Sequence, residues 1–85
     1  MFLGPEVRFI CATHEIGNAE KRAGKNQYGS IVVEDGVWIG ACSTLLPTVK
    51  ISQGGVIGAG SVVTKSTEPN ALYYGVPARK VRELE

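Results

Sequence analysis

Histidine is nearly absent from this sequence, and its scarcity excludes whole classes of site. A single imidazole, His14, cannot furnish a centre that needs two or three histidines from one chain. Cysteine is almost as scarce. Cys11 and Cys42 are too few for the disulfide framework of a secreted mini-protein and lack metal-ligand spacing, so no metal is expected and a reducing cytoplasm suits them. Neither sign of charge dominates: nine Lys and Arg against eight Asp and Glu leave +1, no global field for nucleic acid or an acidic membrane. No window approaches about 18 uncharged apolar residues, and Met1-Phe2-Leu3-Gly4-Pro5-Glu6 lacks the basic and apolar regions of a signal peptide. The expectation is a soluble, cytoplasmic chain. Its 85 residues make one domain, near the lower limit of what a single core stabilises unaided.

What the sequence does have is a period of six. Val33, Ile39, Leu45, Ile51, Ile57 and Val63 form an unbroken aliphatic series. Two residues before each stand Ile31, Val37, Ser43, Val49, Gly55 and Ser61, all small or aliphatic. Positions two apart on a strand share a face, so both series point inward. Each hexapeptide is then a short strand and a corner, with Gly40 and Gly58 read as corners, and three sides close one triangular coil. A two-layer sandwich also has short strands, but its turns recur at about 8–12 residues and less regularly.

The same phase occurs at Leu3 and Phe9, with Val7 and Thr13 in the small inward role. The 1–85 domain thus divides into a first partial coil over 1–14, a protruding loop over 15–30, regular coils over 31–67 and a C-terminal cap over 68–85. The loop is expected because 15–30 is rich in charge, Asn and Gly. The cap is expected to hold a short helix containing Arg79 to Leu84, with Pro77 at its first position.

Several residues invite a chemical reading. His14, outward in phase and beside the loop, is either a solvated histidine or a base, since its pKa lies near neutrality. Trp38 lies between inward Val37 and Ile39, so its indole points out, and Val56 shares that face one coil later. The pair is either scattered surface apolarity or the wall of a groove or interface. Gly58-Ala59-Gly60-Ser61 followed by Thr64-Lys65 is a corner and strand end, and it does not match a nucleotide P-loop. Arg79 and Arg82, three apart on the expected helix, share one face suited either to phosphate or to solvent at a helix end. The cysteines have no second histidine to activate them and read as inert thiols.

Thr13-His14, Val37-Trp38-Ile39-Gly40, the run from Ile57 to Lys65 and Gly75-Val76-Pro77-Ala78 together resemble the hexapeptide-repeat acyltransferases, within them the galactoside and maltose O-acetyltransferase branch. The resemblance covers Phe9 to Leu84. It implies an all-β, left-handed parallel β-helix, an exception to the right-handed rule for parallel crossovers. It also implies acetyl-CoA as acyl donor, a homotrimer with active sites between subunits, and His14 as general base on an acceptor hydroxyl, with Glu15 a weaker candidate to orient the ring. By the same resemblance Trp38 and Ala59 border the pantetheine arm, Thr64 and Lys65 border the coenzyme, and Arg79 and Arg82 approach its phosphates. Direct attack in a ternary complex follows, with a sugar or similar small polar acceptor. An amino acceptor, or a non-catalytic trimeric module, is the alternative; the single His14 argues against a carbonic anhydrase on the same coil, which needs three histidines at a subunit interface. The chain departs from the branch in lacking N-terminal coils, so a minimal form or a partner over the first coil is expected, and in placing Thr48 where the branch has Gly.

Overall fold

A computed structural model describes the backbone of residues 1–16, 18–21 and 23–85; the side chains of residues 13–16 and 23–27 lie outside the description. Thr13, His14 and Glu15, to which the sequence reading gives roles, are therefore placed by backbone register alone.

The first coil is β1 (Phe2–Leu3), β2 (Arg8–Phe9) and, after an antiparallel hairpin of β3 (Ala12–Ile16) and β4 (Ala23–Tyr28), β5 (Val32–Val33). The second coil is β6 (Trp38–Ile39), β7 (Thr44–Leu45) and β8 (Lys50–Ile51). The third begins with β9 (Val56–Ile57) and β10 (Val62–Val63), and its last side reaches β8 through the Thr67 amide, which donates to the Lys50 carbonyl at 2.9 Å. Like sides of successive coils pair in parallel: β1 with β6, β6 with β9, β2 with β7, β7 with β10, and β5 with β8. Partners such as Trp38 and Val56 fix one coil at three hexapeptides.

The inward series is the core. Ile39, Leu45 and Ile51 are 0% exposed, and Val37, Val49, Ile57 and Val63 join them. Each such large side chain contributes on the order of 1.5–3 kcal/mol by leaving water. The small inward serines are satisfied rather than merely tolerated: Ser43 and Ser61 both donate through Oγ to the Gly58 carbonyl, at 3.2 and 2.7 Å, and the Gly75 amide donates to Ser61 Oγ at 3.1 Å. At the open end of the stack Leu3 and Phe9 keep the inward phase but remain exposed.

The corners do not fall at Gly40 and Gly58. The chain bends through a left-handed residue three positions after each core aliphatic: Gly36, Cys42, Thr48, Gly54 and Gly60 have φ between 60° and 73°, and Glu6 holds the matching place in the first coil. Gly40 is needed for proximity instead, because a Cβ there would stand 2.6 Å from the Ala59 amide nitrogen.

Two segments differ from the sequence expectation. The 15–30 stretch, expected as a protruding loop, contains most of the β3–β4 hairpin, in which His14 opposes Asn26. Antiparallel pairing satisfies backbone groups internally, so it needs no apolar alternation to announce it. The C-terminal helix is absent: β11 (Ala71–Gly75) pairs with β9, and β12 (Ala78–Glu83) returns antiparallel to β11 through a turn at the cis Val76–Pro77 bond. Residues 79–84 are good helix formers, but β11 offers an open sheet edge, and pairing there satisfies a row of backbone groups that a helix would leave exposed. Lys80 fixes the return by donating from Nζ to Glu68 at 3.0 Å and Glu83 at 3.2 Å.

Candidate active site

The side made by β1, β6, β9, β11 and β12 is a five-stranded sheet, and its outer surface carries the concavity of the molecule that bears on function. Register aligns Phe2, Trp38, Val56, Leu72 and Arg82 in one row across it. Alternation turns all five outward, and Trp38 is 54% exposed. Two residues further along the strands, Gly4, Gly40 and Gly58 leave the surface without side chains, so the row forms the wall of a groove of about 700 Å³ floored by glycine and by Ala41 and Ala59 at the adjoining corner. The Gly58 carbonyl, held by Ser43 and Ser61 from within, fixes that floor.

Arg79 and Arg82 share a face for a reason other than the expected helix. Residues three apart on a regular strand point to opposite sides. Here the register shifts between Leu72 and Tyr73, so that Arg82 opposes Leu72, Lys80 opposes Tyr73 and Arg79 opposes Tyr74. The extra residue, Val81, restores the phase, and both guanidinium groups stand on the groove side. Arg82 lines the groove and Arg79 stands two register pairs away, opposite Tyr74.

Of the sequence-assigned residues, the fold thus gathers Trp38, Ala59, Arg82 and Arg79 on one outer face. Thr64 and Lys65 are exposed at the end of β10, one side away from the groove. His14 sits on β3, within the hairpin that leaves the coil between β2 and β5, hence at the corner opposite the grooved side. Phe2, Leu72 and Tyr74 were missed. Phe2 keeps the hexapeptide phase but precedes its partner Trp38 by two coil lengths because the hairpin is inserted between them, whereas the step from Val56 to Leu72 is two residues short of a coil and leaves the hexapeptide count.

Cys11 and Cys42 are exposed free thiols, and Cys42 Sγ lies 3.6 Å from a Glu6 carboxylate oxygen. Among the described residues no three of His, Cys, Asp and Glu are grouped to hold a metal ion. No helix among them is long and apolar enough to cross a membrane.

No protein-family model matches the chain. A Schizosaccharomyces pombe protein named as a candidate acetyltransferase is 42% identical over 85 residues, 100% of this chain and 41% of that protein. The galactoside O-acetyltransferase of Lactococcus lactis is 34% identical over 84 residues, 99% of this chain and 41% of the enzyme. A hexapeptide-repeat acetyltransferase from Vibrio cholerae, solved in complex with acetyl-CoA, superposes with a TM-score of 0.88 at 35% identity, covering 96% of this chain and 45% of that one. The chain therefore has the left-handed parallel β-helix of hexapeptide repeats. Along its whole length its homologues and structural neighbours are hexapeptide-repeat acetyltransferases, galactoside and maltose O-acetyltransferases among them. It spans about two fifths of the length of the curated relatives it matches.

Proposed function

We propose that this chain is the coenzyme-binding part of an acetyl-CoA-dependent acetyltransferase that acts on a hydroxyl of a sugar or similar small polar acceptor. The observation that carries the reading is the convergence of Trp38, Ala59 and Arg82 on one glycine-floored groove, with Arg79 brought to the same face by the Val81 bulge. An apolar groove suits an extended pantetheine arm, and guanidinium groups at its end suit phosphate, which they bind through paired planar donors. Thr64 and Lys65 border the coenzyme from the neighbouring side.

His14 is the general base. It removes the proton as the acceptor oxygen attacks the thioester carbonyl; the tetrahedral intermediate collapses, the carbon–sulfur bond breaks, and the imidazolium returns the proton to the departing thiolate. No covalent enzyme intermediate and no metal is required, because the imidazole supplies the base and acetyl-CoA the activated acyl group. The hairpin that carries His14 leaves from the corner opposite the groove. The base acting at one groove is accordingly supplied by a neighbouring subunit, and a homotrimer of parallel stacks supplies three such sites.

Thioester consumption over a panel of sugars and amino sugars tests this directly. The parent is expected to release CoA with a hydroxyl acceptor, and His14→Ala to lose about 10²–10⁴-fold in kcat while still binding CoA. Equal rates for the two proteins contradict the assignment, and turnover only with amino acceptors redirects it to N-acetylation.

A further inference from the structure

Two adjacent tyrosines are used very differently. Tyr73 turns towards the core, and its hydroxyl accepts the Glu68 amide at 3.0 Å. Tyr74 turns out and is 58% exposed. Its ring lies directly over Gly58, so close that a β-carbon on that glycine would collide with Cδ1. The ring thus rests on the Gly58 backbone while more than half of the residue stays open to solvent. Arg79 opposes it across the β11–β12 ladder, and Arg82 opposes Leu72, two residues and about 7 Å along the strand. That spacing is comparable to the one a ribose maintains between a base and its phosphate.

A solvent-exposed aromatic side chain beside two arginines on one surface matches a nucleoside phosphate: the base stacks on the ring and the phosphates meet the guanidinium groups. We infer that Tyr74 is the nucleobase-binding residue of this site, stacking the adenine of the coenzyme while Arg79 and Arg82 hold its phosphates. The inference rests on the coenzyme reading above and goes beyond it, since neither the hexapeptide pattern nor the wall of the groove marks Tyr74.

Calorimetric titration of the full chain with CoA and with 4′-phosphopantetheine, which lacks the adenosine, separates the two ideas. Tyr74→Leu keeps apolar cover over Gly58 without an aromatic face; it is expected to weaken CoA about tenfold and leave 4′-phosphopantetheine unchanged. Tyr74→Phe should match the parent and Tyr74→Trp should bind CoA at least as tightly, which retains a test should the leucine variant fold poorly. CoA affinity that is the same in Tyr74→Leu, Tyr74→Trp and the parent, or an equal loss for both ligands, overturns the role given to the tyrosine while leaving the coenzyme groove intact. A parent that binds neither ligand overturns the coenzyme reading itself, and Tyr74 with it.

Discussion

Gly40 lies so close beneath Ala59 that a β-carbon on the glycine would stand 2.6 Å from the Ala59 nitrogen and 2.9 Å from the Ile57 carbonyl oxygen. Both neighbours are backbone and belong to the next coil, so the contact joins fold to groove. Gly40→Ala is expected to destabilise by about 1–3 kcal/mol, the usual cost of forcing an extra carbon into a packed site. Chemical denaturation measures the loss, and the same variant should bind CoA more weakly because Ala59 must shift.

Arg79 and Arg82 act as a pair only because Val81 is bulged. Arg79→Ala and Arg82→Ala are each expected to reduce CoA affinity about tenfold, the scale of one charge-assisted hydrogen bond. Titrations at rising salt should show a flatter dependence in either variant than in the parent. Arg82→Lys should restore little if two planar donors are what the phosphate meets.

The Lys80 clamp on the return strand gives a pH signature. Hydrogen bonds to Glu68 and then Glu83 raise its ammonium pKa above the ordinary 10.5. A raised folded-state pKa contributes stability that is complete below the unfolded value and is lost as pH climbs through the folded one. The parent should therefore melt slightly above Lys80→Met at neutral pH, and the two melting curves should converge in strong alkali. The clamp is solvent-exposed, so the neutral-pH difference will be small.

Ser61 supports the groove from inside. Ser61→Ala removes the hydroxyl that donates to the Gly58 carbonyl and accepts the Gly75 amide, leaving buried polar groups without that partner. A loss of about 1–3 kcal/mol is expected in denaturation. Ser61→Thr, which keeps the hydroxyl, should lose less.

The coil was legible because Val33 to Val63 obey one phase without exception, and burial follows that phase from Val37 to Val63. The outward direction of Trp38 was legible for the same reason, since a known period fixes which way each side chain points, whereas Ala59 was reached only through the resemblance. The corner geometry was not, because the left-handed position is occupied by Gly, Cys, Thr and Glu alike and so shows no compositional mark. The C-terminal hairpin was hidden by helix-forming residues whose state is decided by the open edge of β11, a tertiary fact absent from local propensity. Arg79 and Arg82 were paired correctly on one face, yet the physical cause is a bulge and not a helical turn.

The most direct test of the account is a crystal of the assembled protein soaked with acetyl-CoA. Its thioester should lie beside Trp38, its phosphates against Arg79 and Arg82, and the imidazole of His14 from an adjoining copy should stand within hydrogen-bond reach of the acceptor position. Coenzyme bound away from the Trp38 groove, or a thioester remote from every copy of His14, would contradict it.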